Sequence, residues 1–120
     1  MNKILLVEDE LALRETLQEI LELNNFDVSI AGSGEEALES IQKMAPDLIV
    51  SDIMMPGMTG LDFIKKVHQE DKFKDIPFIF LSALASKEDQ SNGIIAGAKG
   101  YITKPFKAYE LMSLIRELLG

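Results

Sequence analysis

The chain has 120 residues, 20 acidic and 12 basic, with a formal net charge of −8 and no cysteine. That length suits one domain with a real core, residues 1–120, and the missing cysteine excludes disulfides, thiolate metal sites and cysteine nucleophiles. The acidity argues against direct nucleic-acid binding, and the absence of any signal peptide or of an apolar run near the roughly 20 residues that span a bilayer gives a cytoplasmic protein with no membrane contact as the expectation.

Strand and helix patterns alternate five times along the chain. Lys3–Val7 reads as a strand, and it ends in Glu8 and Asp9. Glu10–Asn24 reads as a helix, with Leu13, Leu17, Ile20 and Leu21 on one stripe. Asp27–Ala31 is the second strand. Ser33 is the expected N-cap of a helix over Gly34–Met44, with Glu36 as its capping-box partner. Leu48–Ser51 is the third strand and ends in Asp52. Gly57 and Gly60 keep backbone near that strand end accessible. A third helix follows over Gly60–Gln69. It carries the single histidine, His68, among Lys65, Lys66, Gln69 and Glu70, which reads as solvent-facing surface. Phe78–Ser82 is the fourth strand, Lys87–Gly97 the fourth helix and Gly100–Thr103 the fifth strand. Lys104-Pro105 comes next, and Ala108–Leu119 is the last helix.

Regular alternation of this kind predicts a parallel five-stranded sheet with helices on both faces, a three-layer α/β sandwich. Strands one, three and four are continuously apolar and belong in the centre. Strands two and five alternate, which suits the sheet edges.

In open α/β sheets, ligands bind beyond the carboxyl ends of the strands. Here those ends carry Glu8, Asp9, Asp52, Ser82 and Lys104. Three crowded carboxylates raise one another's pKa, and a hard dication such as Mg²⁺ relieves the conflict. Asp52 is the most central carboxylate and the candidate nucleophile toward phosphorus. Asp9 and Asp52, with Glu8 through water, would hold the metal. Lys104 would supply a second positive charge, and Ser82 a hydrogen bond to the product. Taken singly, each residue has a plainer reading: acids after a strand complement helix dipoles, and a Lys-Pro pair is a loop. Together, at consecutive strand ends, they describe a site for phosphoryl chemistry.

The segments ILLVEDE, LIVSDIMMPGMTG, PFIFLSA and GAKGYITKPF resemble the receiver domain of bacterial two-component response regulators, including the stand-alone chemotaxis regulator. The likeness runs from Lys3 to Leu119. It implies a flavodoxin-like (βα)5 fold with strand order 2-1-3-4-5. It further implies Asp52 as phosphoacceptor, with Mg²⁺ (or Mn²⁺) bound by Asp9, Asp52, the backbone carbonyl of Met54 and, through water, Glu8. Ser82 and Tyr101 match the switch pair, with Tyr101 turning inward from solvent. Lys104 matches the phosphate-binding lysine, joined by a cis bond to Pro105. The implied partners are a sensor histidine kinase or histidine phosphotransfer protein, and a downstream protein or fused output domain. The implied state is a monomer or a phosphorylation-dependent dimer, without turnover of external substrates. Thr59 stands where many relatives have Asp. Lys99 and Gly100 stand where many DNA-binding relatives have two acidic residues.

Three other readings fit less well. A flavin-binding protein of the same fold class needs a Ser/Thr/Gly-rich loop after strand one, where Glu8-Asp9-Glu10 repels phosphate. A phosphatase with an aspartate nucleophile needs a carboxylate at position 54, which is methionine. A phosphate-independent interaction module tends to lose an acidic residue, the acceptor or the lysine, and all are present.

Overall fold

The computed structural model describes residues 1–120. The strands are β1 (Lys3–Val7), β2 (Asp27–Ala31), β3 (Leu48–Ser51), β4 (Phe78–Ser82) and β5 (Gly100–Thr103). The helices are α1 (Leu11–Leu23), α2 (Gly34–Lys43), α3 (Gly60–Gln69), α4 (Lys87–Ile95) and α5 (Ala108–Leu119). All strand pairs are parallel and the sheet order is β2-β1-β3-β4-β5. The continuously apolar strands occupy its centre and are wholly buried but for Lys3. This is the flavodoxin-like arrangement expected from the sequence.

Alternate residues of each central strand feed two cores. Leu5, Val7, Ile49, Phe78 and Phe80 pack with Ala37 and Ile41 of α2 and with Phe63, Ile64 and Val67 of α3. Ile4, Leu6, Val50, Ile79 and Leu81 face the other way, against Leu17 and Leu21 of α1 and Leu111, Met112 and Ile115 of α5. The period-two alternation of side chains along a strand is what allows one apolar run to serve both layers.

Local chemistry sets most element boundaries. Ser33, Thr59 and Ser86 cap α2, α3 and α4, each side chain accepting from the backbone N–H three residues on. Glu36 does not complete a capping box with Ser33; its carboxylate accepts instead from the Gly32 N–H at 3.2 Å. The first helix starts at Leu11, because Glu10 takes the N-cap position with extended backbone. The fourth stops at Ile95, short of Gly97, whose φ of +120° leaves the helical region.

His68 is not solvent-facing surface. Its Nε2 lies 3.0 Å from the Ile76 carbonyl oxygen, and its ring meets Phe78 edge-on at 5.2 Å between centroids. The residue is half-buried, pinning the end of α3 to the segment that leads into β4. Its polar sequence neighbours conceal this, since Val67 and His68 adjoin on the helix and the apolar partner comes from elsewhere.

The β3–α3 turn brings two backbones together behind Asp52. A Cβ on Gly60 would strike the Asp52 carbonyl oxygen and stand 2.8 Å from the Ile53 Cα, and neither atom can swing aside. A Cβ on Gly32 would meet Arg14 Nη1 at 2.8 Å instead, the far end of a long side chain rather than backbone. Gly60→Ala should therefore lower unfolding free energy by about 1–3 kcal/mol, as overpacking does. Gly32→Ala should cost under about 1 kcal/mol. Urea denaturation of the two variants checks this, and equal midpoints would contradict it.

Candidate phosphoryl and metal site

Strand register assembles the site. Val7 pairs with Ser51 across β1 and β3, so the residues that follow, Glu8 and Asp52, emerge side by side. The ladder continues one step past the strands: the Asp52 N–H donates to the Val7 carbonyl at 3.1 Å, and the Glu8 N–H to the Ala31 carbonyl at 3.0 Å. On the other side, Ser82 pairs with Thr103, and the Lys104 N–H donates to the Ser82 carbonyl at 2.9 Å. The Lys104–Pro105 peptide is cis.

One carboxylate oxygen from each of Glu8, Asp9 and Asp52 falls within 4.8 Å of the others. Glu8 and Asp52 are buried and Asp9 is exposed. Lys104 closes the group: its Nζ is 3.0 Å from Glu8 Oε1 and 3.0 Å from Asp52 Oδ2. The two oxygens of Asp52 have different surroundings. Oδ1 accepts from the Ile53 and Met54 N–H groups at 2.7 and 3.2 Å, while Oδ2 faces Lys104. So Asp52 is both a turn residue and a pocket residue. The plain reading of an aspartate after a strand is true of one oxygen only.

Burial pushes the Glu8 carboxyl above its ordinary range, against the pull of the Lys104 ammonium, and the Asp52 charge adds to the rise. Burial works to lower the Lys104 pKa, but its bonds to Glu8 and Asp52 win and hold it above the usual lysine value. An all-oxygen donor set of three carboxylates, one of them open to solvent, fits a hard dication. The donors match such an ion in chemistry and in mutual distance.

Ser82 and Tyr101 converge on a single residue. The Leu84 N–H donates to Ser82 Oγ at 3.2 Å, and the Tyr101 hydroxyl donates to the Leu84 carbonyl at 2.6 Å. Tyr101 does not stand in solvent. It is half-buried, its ring edge-on to Phe80 at 6.3 Å and close over Gly93. Burial raises its phenol pKa, with the Ser82 hydroxyl opposing and the charges of Asp89 and Asp52 adding to the rise.

A family model described as the response regulator receiver domain matches residues 4–116. The chain belongs to this family. It is 39% identical over 118 residues to the phosphate regulon transcriptional regulatory protein PhoB of Escherichia coli, covering 98% of this chain and 52% of PhoB. It is 38% identical over 117 residues to the transcriptional regulatory protein TrcR of Mycobacterium tuberculosis, covering 98% of this chain and 45% of TrcR. The chain thus spans about half the length of these relatives. Among solved structures, the Vibrio cholerae chemotaxis protein CheY4 superimposes with a TM-score of 0.93 at 34% identity, over 98% of each chain. The non-phosphorylated HemR receiver domain of Leptospira biflexa superimposes with a TM-score of 0.90 at 34% identity, over 100% of this chain and 95% of that one. This is therefore a signalling domain of two-component systems, and no helix in it is long and apolar enough to cross a membrane.

Two residues of the receiver's site escape a reading of strand ends. Arg14, on α1, donates through Nη1 to the Glu8 carbonyl at 3.2 Å, while its buried Nε has no partner. Ser51 donates to the Asp52 carbonyl at 2.8 Å and is wholly buried. The only sequence signals are a basic residue early in a helix and a hydroxyl in an apolar strand, and neither is distinctive.

Lys104 is the one cation on two buried acids, which sets the expected pH behaviour of the metal-free receiver. Glu8 has a folded pKa above 4.5, so its contribution to stability is complete below 4.5 and is lost as pH rises through the folded value. The Lys104 contribution is complete below 10.5 and is lost as pH rises through its higher folded value. Replacing Lys104 by Met leaves Glu8 and Asp52 unpaired and raises the Glu8 value further. In EDTA at pH 7, Lys104→Met should lose about 2 kcal/mol of stability, less than a fully buried pair because the lysine is partly exposed. The deficit should shrink as pH falls toward 4.5. Chemical denaturation at several pH values tests this, and a deficit independent of pH would contradict it.

Proposed function

We propose that residues 1–120 act as the phosphorylation-controlled receiver of a two-component phosphorelay, with Asp52 as the phosphoacceptor. One observation carries the reading: Asp52 Oδ2 points at Lys104 Nζ, 3.0 Å away, inside a cluster completed by Glu8 and Asp9. The donor is a phosphohistidine on a sensor histidine kinase or a histidine phosphotransfer protein. An Asp52 oxygen attacks phosphorus; the new P–O bond forms as the P–N bond breaks, and the departing imidazole nitrogen takes a proton. Asp9, Asp52, the Met54 carbonyl and, through water, Glu8 would hold Mg²⁺, with Mn²⁺ as a substitute. When bound, the dication supplies positive charge opposite the phosphoryl oxygens. Lys104 then shifts from carboxylate to phosphoryl oxygen, and Ser82 donates to another. Water later attacks phosphorus and restores the carboxylate, so the domain resets itself and turns over no external substrate.

Output follows from the Leu84 contacts. Ser82 closing on the phosphoryl group draws Leu84 with it, and Tyr101, bonded to Leu84, repacks between α4 and β5. The face formed by α4, β5 and α5 is then the surface read by a downstream protein or a fused output domain. The chain acts as a monomer or as a phosphorylation-dependent dimer, and Lys99 and Gly100, standing where many DNA-binding relatives have two acidic residues, weigh against the dimer contacts of that subgroup. Location in the cytoplasm, where phosphodonor kinases present their histidines, is part of the same proposal.

Acetyl phosphate with Mg²⁺ should add one phosphoryl group to the wild-type chain and none to Asp52→Asn, read by intact mass. Equal labelling of the variant would remove Asp52 from the role.

The metal is tested by melting. At about tenfold excess over its Kd, Mg²⁺ should raise Tm by about 3–6 °C through mass action. Asp9→Ala should lose most of that rise. If both proteins respond alike, the three carboxylates do not form the metal site.

A further inference from the structure

Asp9 is the least anchored member of the carboxylate cluster. Glu8 and Asp52 are buried, and Lys104 grips both. Asp9 is exposed, so packing does not fix its carboxylate. Its direction depends on the backbone to either side, and both flanking carbonyls are bonded to one residue. Arg14 Nη1 donates to the Glu8 carbonyl at 3.2 Å, and the Arg14 N–H donates to the Glu10 carbonyl at 3.0 Å. A carbonyl shares a rigid plane with the N–H that follows it, so the bond to Glu8 fixes the peptide that enters Asp9.

We infer that Arg14 is a positioning residue of the metal site: through the Glu8 carbonyl its guanidinium aims Asp9 at the dication that Glu8, Asp9 and Asp52 would share. The inference rests on the reading of those three carboxylates as the Mg²⁺ site.

The guanidinium is committed to this bond. It forms no ion pair, since both ion pairs of the molecule belong to Lys104. Its Nε is buried without a partner, which is unfavourable and has to be offset by what the rest of the group holds. The Glu8 carbonyl is what it holds. Room for the group comes from Gly32, just past β2: a Cβ there would stand 2.8 Å from Nη1, the atom that makes the bond. Gly32 is not among the glycines of positive φ, so its missing side chain matters here and its backbone freedom does not. Alanine at 32 is therefore a second way to disturb the same atom, without touching Arg14.

Arg14 also lies between α1 and the turn after β2, which gives it a plain packing role. The two roles differ over the metal. A packing role predicts lower melting and unchanged Mg²⁺ affinity in the folded protein. Charge alone predicts tighter binding when Arg14 is neutralised, because arginine and Mg²⁺ repel. Positioning predicts weaker binding, as follows when a group that orients a metal ligand is lost.

The test is calorimetric titration of Mg²⁺ into the full chain, well below the melting temperature. Arg14→Met should raise the Mg²⁺ Kd about tenfold, and Gly32→Ala about threefold. The double variant should bind no more weakly than Arg14→Met, because both changes act through one side chain. In the metal-free protein, the Glu8 carbonyl ¹³C resonance should move upfield in both variants as its hydrogen bond is lost or lengthened. Gly32→Ala keeps the test decisive should Arg14→Met fail to fold. Wild type without saturable Mg²⁺ binding would overturn the metal-site reading and this inference together. Wild type that binds, with variants that bind equally or more tightly, would overturn the role of Arg14 alone.

Discussion

Two buried carboxylates share one lysine, and the rest of the molecule is organised around that imbalance. Glu8 and Asp52 are drawn out of water by the sheet register, because Val7 and Ser51 are paired neighbours in the two central strands. Lys104 comes from the far side of β4, at the end of β5, and reaches both acids. It neutralises one charge of the two, and the exposed Asp9 adds a third negative group. A site left short of positive charge attracts a cation. The same shortage explains why burial raises the Glu8 carboxyl even with an ammonium beside it.

The backbone around Asp52 is tightly constrained, at some cost in tolerance to substitution. One carboxylate oxygen is fixed by two amides of the following turn, so the other is presented in a defined direction. Gly60 lets α3 begin against the Asp52 carbonyl, and the Thr59 cap fixes where that helix starts. The site sits where the ends of four strands, β1, β3, β4 and β5, meet. Main-chain bonds hold Asp52, through the Ile53 and Met54 amides, while Lys104 reaches the acids through its side chain alone.

Leu84 joins this site to the surface. Its amide and carbonyl are taken by the two residues that resemble a switch pair, and it lines the hollow shared with Asp9, Met54 and Leu61. The α4 element is the least anchored of the helices: Gly93 is its only buried residue, against the Tyr101 ring, and Ile94 and Ile95 remain exposed. Gly93 lies against Tyr101 and Phe80, so a movement of Tyr101 bears directly on how this helix packs. Helices α1 and α5, which bury full leucine and isoleucine stripes, cannot respond so easily.

Much of this was legible in the residue order. Continuous apolar runs against alternating ones separated central strands from edge strands, since a strand covered on both faces has no polar side. The chemistry-bearing side chains Glu8, Asp9, Asp52, Ser82 and Lys104 were visible because each directly follows or ends such a run. The family likeness rested on the same segments. Tertiary structure decided what depends on partners distant in sequence. His68 looked exposed among charged neighbours, yet Phe78 and Ile76 cover it. Tyr101 looked free to turn inward, yet it already packs on Phe80 and bonds to Leu84. Arg14 gave no sign of reaching the Glu8 carbonyl. Periodicity reports which face of an element is apolar. It does not report which residue of another element lies opposite, and that pairing fixes burial and hydrogen bonding.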